Sequence, residues 1–161
     1  MGKEVKTNAM RILDRMRIPY RINLYDCGEF IDGVHVADAL GQPRESSFKT
    51  LVAVARSGGH YVFVLPVAEE LDLKKAAAAV GEKAVSLIPV KEITPLTGYV
   101  RGGCTAVGMK KPFPTVIDAS AEKFAEIIVS GGRLGAQIIL APCDLARAAG
   151  ASFADLVMKG A

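Results

Sequence analysis

Hydrophobic positions along the chain form short runs that switch between helical and strand spacing. Met10, Ile12, Leu13 and Met16 recur at helical intervals behind Thr7 and Asn8, residue types that cap helix starts. They predict a first helix that stops near Ile18-Pro19. Tyr20, Ile22 and Leu24 alternate with polar residues and predict a strand. GVHVADALG, from Gly33 to Gly41, predicts a short helix closed by its last glycine. LVAVAR and HYVFVLPV flank Ser57-Gly58-Gly59, a hairpin signal. From Glu69 to Val80 acidic residues precede Lys74 and Lys75, an order that suits a helix dipole, with Gly81 as the closing cap. AVSLIPV, TVIDAS, EIIVSGG and AQIILAP predict four further strands, the last two joined by a turn at Gly131-Gly132. Pro142 to Gly150 predicts a final helix. Strands outnumber helices and several are joined by tight turns. The pattern therefore predicts one α+β domain over residues 1–161, with a mixed, largely antiparallel sheet and helices packed outside it.

Composition narrows the picture only a little. A chain of 161 residues, half of them hydrophobic and 23% charged, is ordinary globular material with enough length for a core. A net charge of +3 permits a phosphate-bearing ligand but falls short of the basic coat of a general nucleic-acid binder. Cys27, Cys104 and Cys143 are odd in number and widely spaced, so no disulfide framework is implied. Neither a secretory signal nor an apolar stretch long enough to cross a bilayer is visible, and the expectation is a soluble, cytoplasmic protein with no membrane partner.

The run VRGGCTAVGMKKPFP, residues 100–114, raises the chemical question. Gly103 and Gly108 have P-loop spacing, but Met109 stands where the phosphate-binding lysine belongs, which rules out the NTPase motif. Metal chemistry finds no support either. The ligand types available, His35, His60 and three cysteines, form no C-x-x-C or H-E-x-x-H pair, and Ala146 occupies the place of the second cysteine in the zinc-deaminase signature begun by Pro142-Cys143. Cys104 after two glycines is either a nucleophile held at a turn or a small apolar residue packed beside it. Lys49, at the mouth of an apolar strand, is either a donor to a carbonyl or phosphate oxygen or a solvated edge charge. Ser130-Gly131-Gly132-Arg133-Leu134-Gly135 lacks the dinucleotide fingerprint, since a strand follows where a helix is needed. It is either a plain hairpin turn or a second wall of backbone N–H groups facing Gly102-Gly103. Two such walls with Lys49 would suit an ester carbonyl and nearby phosphates.

KTNAMRILDRMRIPY, FKTLVAV, PVAEELDLKKAAAAVGEKAV, LTGYVRGGCTAVGMKK, PTVIDASA and IIVSGGRLG, in this order, resemble the YbaK/EbsC family of aminoacyl-tRNA deacylases from about Thr7 to Leu156. The resemblance implies the fold of the prolyl-tRNA synthetase editing domain, a mixed, barrel-like sheet surrounded by helices. It implies an enzyme that removes cysteine mischarged onto tRNA(Pro), with no cofactor and possible docking on prolyl-tRNA synthetase. Lys49 matches the family's essential lysine and Thr50 its neighbour. Tyr25 matches a pocket tyrosine, Gly102 and Gly103 the glycine pair beside the ester, and Ser130 the serine before the second turn that begins with Gly131. Gln137 departs from an aspartate found in some members. A glutamine can hydrogen-bond substrate but holds no negative charge.

In this family the substrate's cysteine thiol is thought to attack its own ester, which accounts for the lack of any Ser-His-Asp or Cys-His set. Lys49 would hold a terminal phosphate or the carbonyl, and Arg101, Lys110 and Lys111 would meet the tRNA backbone. Two alternatives stay open: a deacylase for another small aminoacyl-tRNA such as Ala-tRNA(Pro), and a non-catalytic binder of aminoacyl-tRNA or nucleotide.

Overall fold

The computed structural model describes residues 6–26 and 33–158, so Cys27 lies outside the described residues. The first half of the chain runs α1 (Asn8–Arg15), β1 (Arg21–Leu24), α2 (Gly33–Ala39), β2 (Phe48–Ala55), β3 (His60–Pro66) and α3 (Leu73–Ala79). Then follow β4 (Val85–Leu87), α4 (Ile93–Thr97), β5 (Thr115–Asp118), β6 (Ile127–Ser130), β7 (Ala136–Leu140), α5 (Pro142–Ala149) and β8 (Ala151–Ala154). Four strand pairings, β1–β7, β6–β7, β2–β3 and β2–β4, are antiparallel, while β3–β5 and β5–β8 are parallel. The result is the mixed, largely antiparallel α+β arrangement that the pattern predicts.

Helix α1 buries Ala9, Met10 and Leu13, and Thr7 caps it by accepting the Met10 N–H at 3.2 Å. The same hydroxyl donates to the Gly131 carbonyl at 2.6 Å, which ties the helix start to the turn between β6 and β7. Helix α3 begins later than its acidic approach suggests. Asp72 is its N-cap, accepting from the Lys74 and Lys75 N–H groups, and Leu71 instead pairs with Val157 in an isolated bridge. Two elements, α4 and β8, carry too little periodicity to be predicted. Strand β8 is set by its parallel pairing with β5, an interaction no local pattern announces.

Strands β2 and β3 are covered on both faces, which explains their nearly unbroken apolar sequence. Phe48, Val52, Val62 and Val64 enter one core with α1 and the three-stranded sheet. Ala53, Ala55, Phe63 and Leu65 enter a second core with Leu71, Ala76, Ala77 and Leu156. Burial of a side chain the size of Phe63, which is fully enclosed, contributes about 1.5–3 kcal/mol.

The expected barrel is not closed. The strands form two sheets, ordered β1-β7-β6 and β4-β2-β3-β5-β8. Strand β2 is the reason. One of its edges is filled by β3, and on the other β4 covers only Ala53–Ala55. Nearer its start, Ser47 alone bridges to Ile128 of β6. Between bridge and ladder, no strand among the described residues pairs with Lys49–Leu51 on that edge. A gap opens there.

Candidate active site

That gap is a cavity of about 430 Å³. Its floor is the open edge of β2 from Ser47 to Val52, and β6 and β7 face it with Ser130 and Gln137. Tyr25, Thr50, Arg101 and Gly102 also border it, so it gathers most of the residues singled out in the sequence. Strand alternation sends Thr50 toward the face of Phe48 and Val52 and Lys49 toward the face of Leu51 and Ala53. Both border the cavity, where no strand among the described residues pairs with that edge.

The remaining predicted residues lie behind or outside this wall. Gly103 is buried and packs directly on the second glycine turn: a Cβ built on it would stand 2.8 Å from the Arg133 Cα. Gly131 is less tight and packs within its own hairpin, with the Ala136 carbonyl carbon 3.1 Å from a Cβ built there. The two turns thus touch through backbone, which is what the small residues permit. Their N–H groups do not form the expected donor walls. Gly103 donates to the Val100 carbonyl at 2.9 Å, Gly131 to the Ala136 carbonyl at 2.8 Å, and Gly132 to the Ser130 hydroxyl oxygen at 3.3 Å. These amides are consumed in closing the turns. Gly102, in the left-handed region at φ +83°, is the glycine of the first turn that borders the cavity. Lys110 and Lys111 are exposed and do not line it; the Lys110 ammonium donates to the Pro95 carbonyl at 3.3 Å.

Sequence reasoning missed Gln42 and Asn23. Gln42 borders the cavity and exchanges two hydrogen bonds with Gln137, while Asn23 donates to the Gln137 oxygen at 2.8 Å. Neither residue sits in a motif. Gln42 finds its partner 95 residues away, and only the register of β1 against β7, which sets Asn23 opposite Gln137, could have linked the other pair.

Cys104 also borders the cavity, but its chemistry is that of a packed thiol. Burial pushes it up from 9.0 to about 11, and a hydrogen bond with the Thr97 side chain pulls the other way by less. Neither histidine borders the cavity, and His60 instead lies against the Phe113 ring at 5.5 Å. A protonated thiol without a base is a poor nucleophile. Cys104→Ala is therefore expected to change the rate of any reaction at this site by less than about threefold. The same thiol carries a stability signature. Below pH 9 it is protonated whether folded or unfolded; above that the unfolded thiol ionises first, so its contribution falls as pH rises toward about 11. Thermal melts at pH 8 and pH 10.5 check this: the wild type loses more than Cys104→Ala over the interval, and equal losses contradict the assignment.

Among the described residues no three His, Cys, Asp or Glu side chains cluster as metal ligands, and no helix is long and apolar enough to cross a membrane.

Comparison with known proteins identifies the family and the fold. The aminoacyl-tRNA editing domain model matches residues 33–148. A candidate Cys-tRNA(Pro)/Cys-tRNA(Cys) deacylase, EbsC of Enterococcus faecalis, is 41% identical over 155 residues, covering 96% of this chain and 94% of the relative. A crystallised candidate trans-editing enzyme for prolyl-tRNA synthetase superposes with a TM-score of 0.81 at 26% identity, over 97% of this chain and all of the other. A crystallised hypothetical protein reaches a TM-score of 0.85 at 24% identity, over 94% of this chain and 99% of its own, and shares the fold. On the sequence match, the domain model and the shared architecture together, the chain belongs to the YbaK/EbsC family of aminoacyl-tRNA deacylases, built on the aminoacyl-tRNA editing domain.

Proposed function

We propose that this protein is a single-domain, cytoplasmic trans-editing deacylase that removes cysteine mischarged onto tRNA(Pro), working alone or docked on prolyl-tRNA synthetase. One observation carries the proposal: Lys49, Gly102 and Ser130 meet around one cavity that no histidine borders. Such a site has donors for a developing oxyanion and no base to activate a protein nucleophile. The similarity to EbsC, named for both Cys-tRNA(Pro) and Cys-tRNA(Cys), supports cysteine as the amino acid.

In this mechanism the aminoacyl ester enters between the open edge of β2 and the glycine turns. Lys49, the Gly102 N–H and the Ser130 hydroxyl hold the carbonyl and terminal phosphate, while Tyr25 and Thr50 shape the wall. The cysteine sulfur forms a bond to its own carbonyl carbon and the ester C–O bond breaks. The thiol proton ends on the departing ribose oxygen, and water opens the cyclic thioester. Orientation and charge stabilisation supply the catalysis, since an aminoacyl ester is already activated. Gly103 serves by letting the two turns touch, and Gly131 by letting its own hairpin close on Ala136. Arg101 at the mouth, with Lys110 and Lys111 beyond it, meets the tRNA backbone.

Release of cysteine, alanine and serine from the same tRNA(Pro) tests the thiol route. Cysteine is expected to leave at least about a hundredfold faster than alanine, a gap of about 2.7 kcal/mol. Comparable rates for alanine would overturn self-attack and favour ordinary hydrolysis of a small acyl group.

A further inference from the structure

Gln137 stands in a polar row created by the register of the three-stranded sheet, with Asn23 opposite it on β1 and Ser130 opposite it on β6. It is buried, 7% exposed, yet borders the cavity. Its Oε1 accepts from Asn23 Nδ2 at 2.8 Å and from Gln42 Nε2 at 2.8 Å, and its Nε2 donates to Gln42 Oε1 at 3.0 Å. An amide oxygen has two lone pairs and an amide nitrogen two N–H bonds. Both lone pairs are therefore spent, and a single N–H is the hydrogen-bonding capacity left to this side chain. Two cationic residues, Lys49 and Arg101, border the same cavity, and no carboxylate among the described residues does. Among the described residues of this wall a substrate ammonium meets no carboxylate, whereas an acceptor atom meets the N–H left on Gln137.

Resting on the deacylase reading, we propose that Gln137 determines specificity as a donor-only contact. Asn23 and Gln42 are positioning residues that lock its amide, and the remaining N–H binds the carbonyl oxygen of the acyl group, with the α-ammonium directed elsewhere. Position 137 thus recognises the acyl group without reading the charge of its amine. A flip of Gln137 alone would set oxygen against oxygen and nitrogen against nitrogen across the Gln42 pair, and a joint flip of both would turn the Gln137 nitrogen onto the Asn23 donor.

Binding to two non-hydrolysable probes tests this: adenosine carrying cysteine through a 3′-amide, and the same compound lacking the α-amino group. With the full chain, Gln137→Glu is expected to weaken both probes by about tenfold, because it replaces the donor with an anion facing the carbonyl. Gln137→Met, which only deletes the donor, weakens both by about threefold. Gln42→Met costs about threefold alone and nothing further in the Gln137→Met background, as expected of a residue that acts only by holding the Gln137 amide. Tighter binding of the amine-bearing probe alone by Gln137→Glu would place the ammonium at this position and overturn the proposal. So would unchanged binding in both Gln137 variants, additive effects of Gln42→Met, or no binding of either probe by the wild type. Should Gln137→Glu fail to fold, Gln137→Met and the coupling decide the matter. Turnover of cysteinyl-tRNA(Pro) by the wild type, measured alongside, reports separately on the deacylase reading.

Discussion

Lys49→Ala is expected to lower kcat/KM for deacylation of cysteinyl-tRNA(Pro) by at least about a hundredfold while shifting the melting temperature by no more than a few degrees. Removing one donor from an oxyanion site typically costs ten to the second or third power in rate, roughly 2.7–4 kcal/mol. Lys49 is half-buried at the open edge of β2, beside a cavity that Ser130 and Gln137 face from the other sheet. Its neighbours Phe48, buried in the first core, and Leu51, packed on the second, hold the strand in place without it. The loss should therefore appear in catalysis and not in folding. Lys49→Arg keeps the charge but exchanges a compact ammonium for a planar fork, and it should recover part of the activity. Single-turnover release of cysteine by the three proteins, with melts in parallel, decides the point. Full activity in Lys49→Ala would remove the ammonium from the chemistry.

Gly103→Ala should damage the fold and the site together. The added Cβ would stand 2.8 Å from the Arg133 Cα, 2.9 Å from its carbonyl carbon and 3.1 Å from the Leu134 nitrogen. All three are backbone atoms, so no side chain can swing aside. Carbon atoms pack best at about 3.5–4.0 Å, and overpacking of this kind costs about 1–3 kcal/mol. Relief requires the two glycine turns to part. Gly102, the residue before it, and Ser130, at the start of the other turn, would then lose their mutual placement across the cavity. A displacement of about 1 Å can cost about a hundredfold in rate. The expected result is a melting temperature several degrees lower and kcat/KM reduced by about ten- to a hundredfold. A stable Gly103→Ala enzyme with normal turnover would show that contact between the turns is not what shapes the site.

Much of this architecture can be read from local pattern. Thr7 ahead of Met10 and Leu13, the Ser57-Gly58-Gly59 hairpin and the turn at Gly131-Gly132 each announce an element through a cap, a left-handed glycine or a strand alternation. Elements fixed by distant pairing escape such reading. Strand β8 exists because β5 offers it an edge, and the barrel stays open because β4 is too short to cover β2. The site divides in the same way. Lys49, Gly102 and Ser130 lie in runs with recognisable chemistry, whereas Gln42 and Asn23 become part of the wall only through hydrogen bonds to a residue far along the chain. The glycine turns were legible as close backbone, but not the use made of it. The N–H groups of Gly103, Gly131 and Gly132 hold the turns shut, and of the glycines in the two turns Gly102 is the one that borders the cavity.

The most direct test is the first-order loss of cysteine from cysteinyl-tRNA(Pro) under single-turnover conditions, with the wild-type protein in excess and a buffer control. A cavity that orients the ester and supports its oxyanion should accelerate release by at least about a hundredfold over buffer. Release at the buffer rate, with the 3′-amide cysteinyl-adenosine probe still bound, would make the protein a receptor for the charged tRNA end and contradict catalysis at this site.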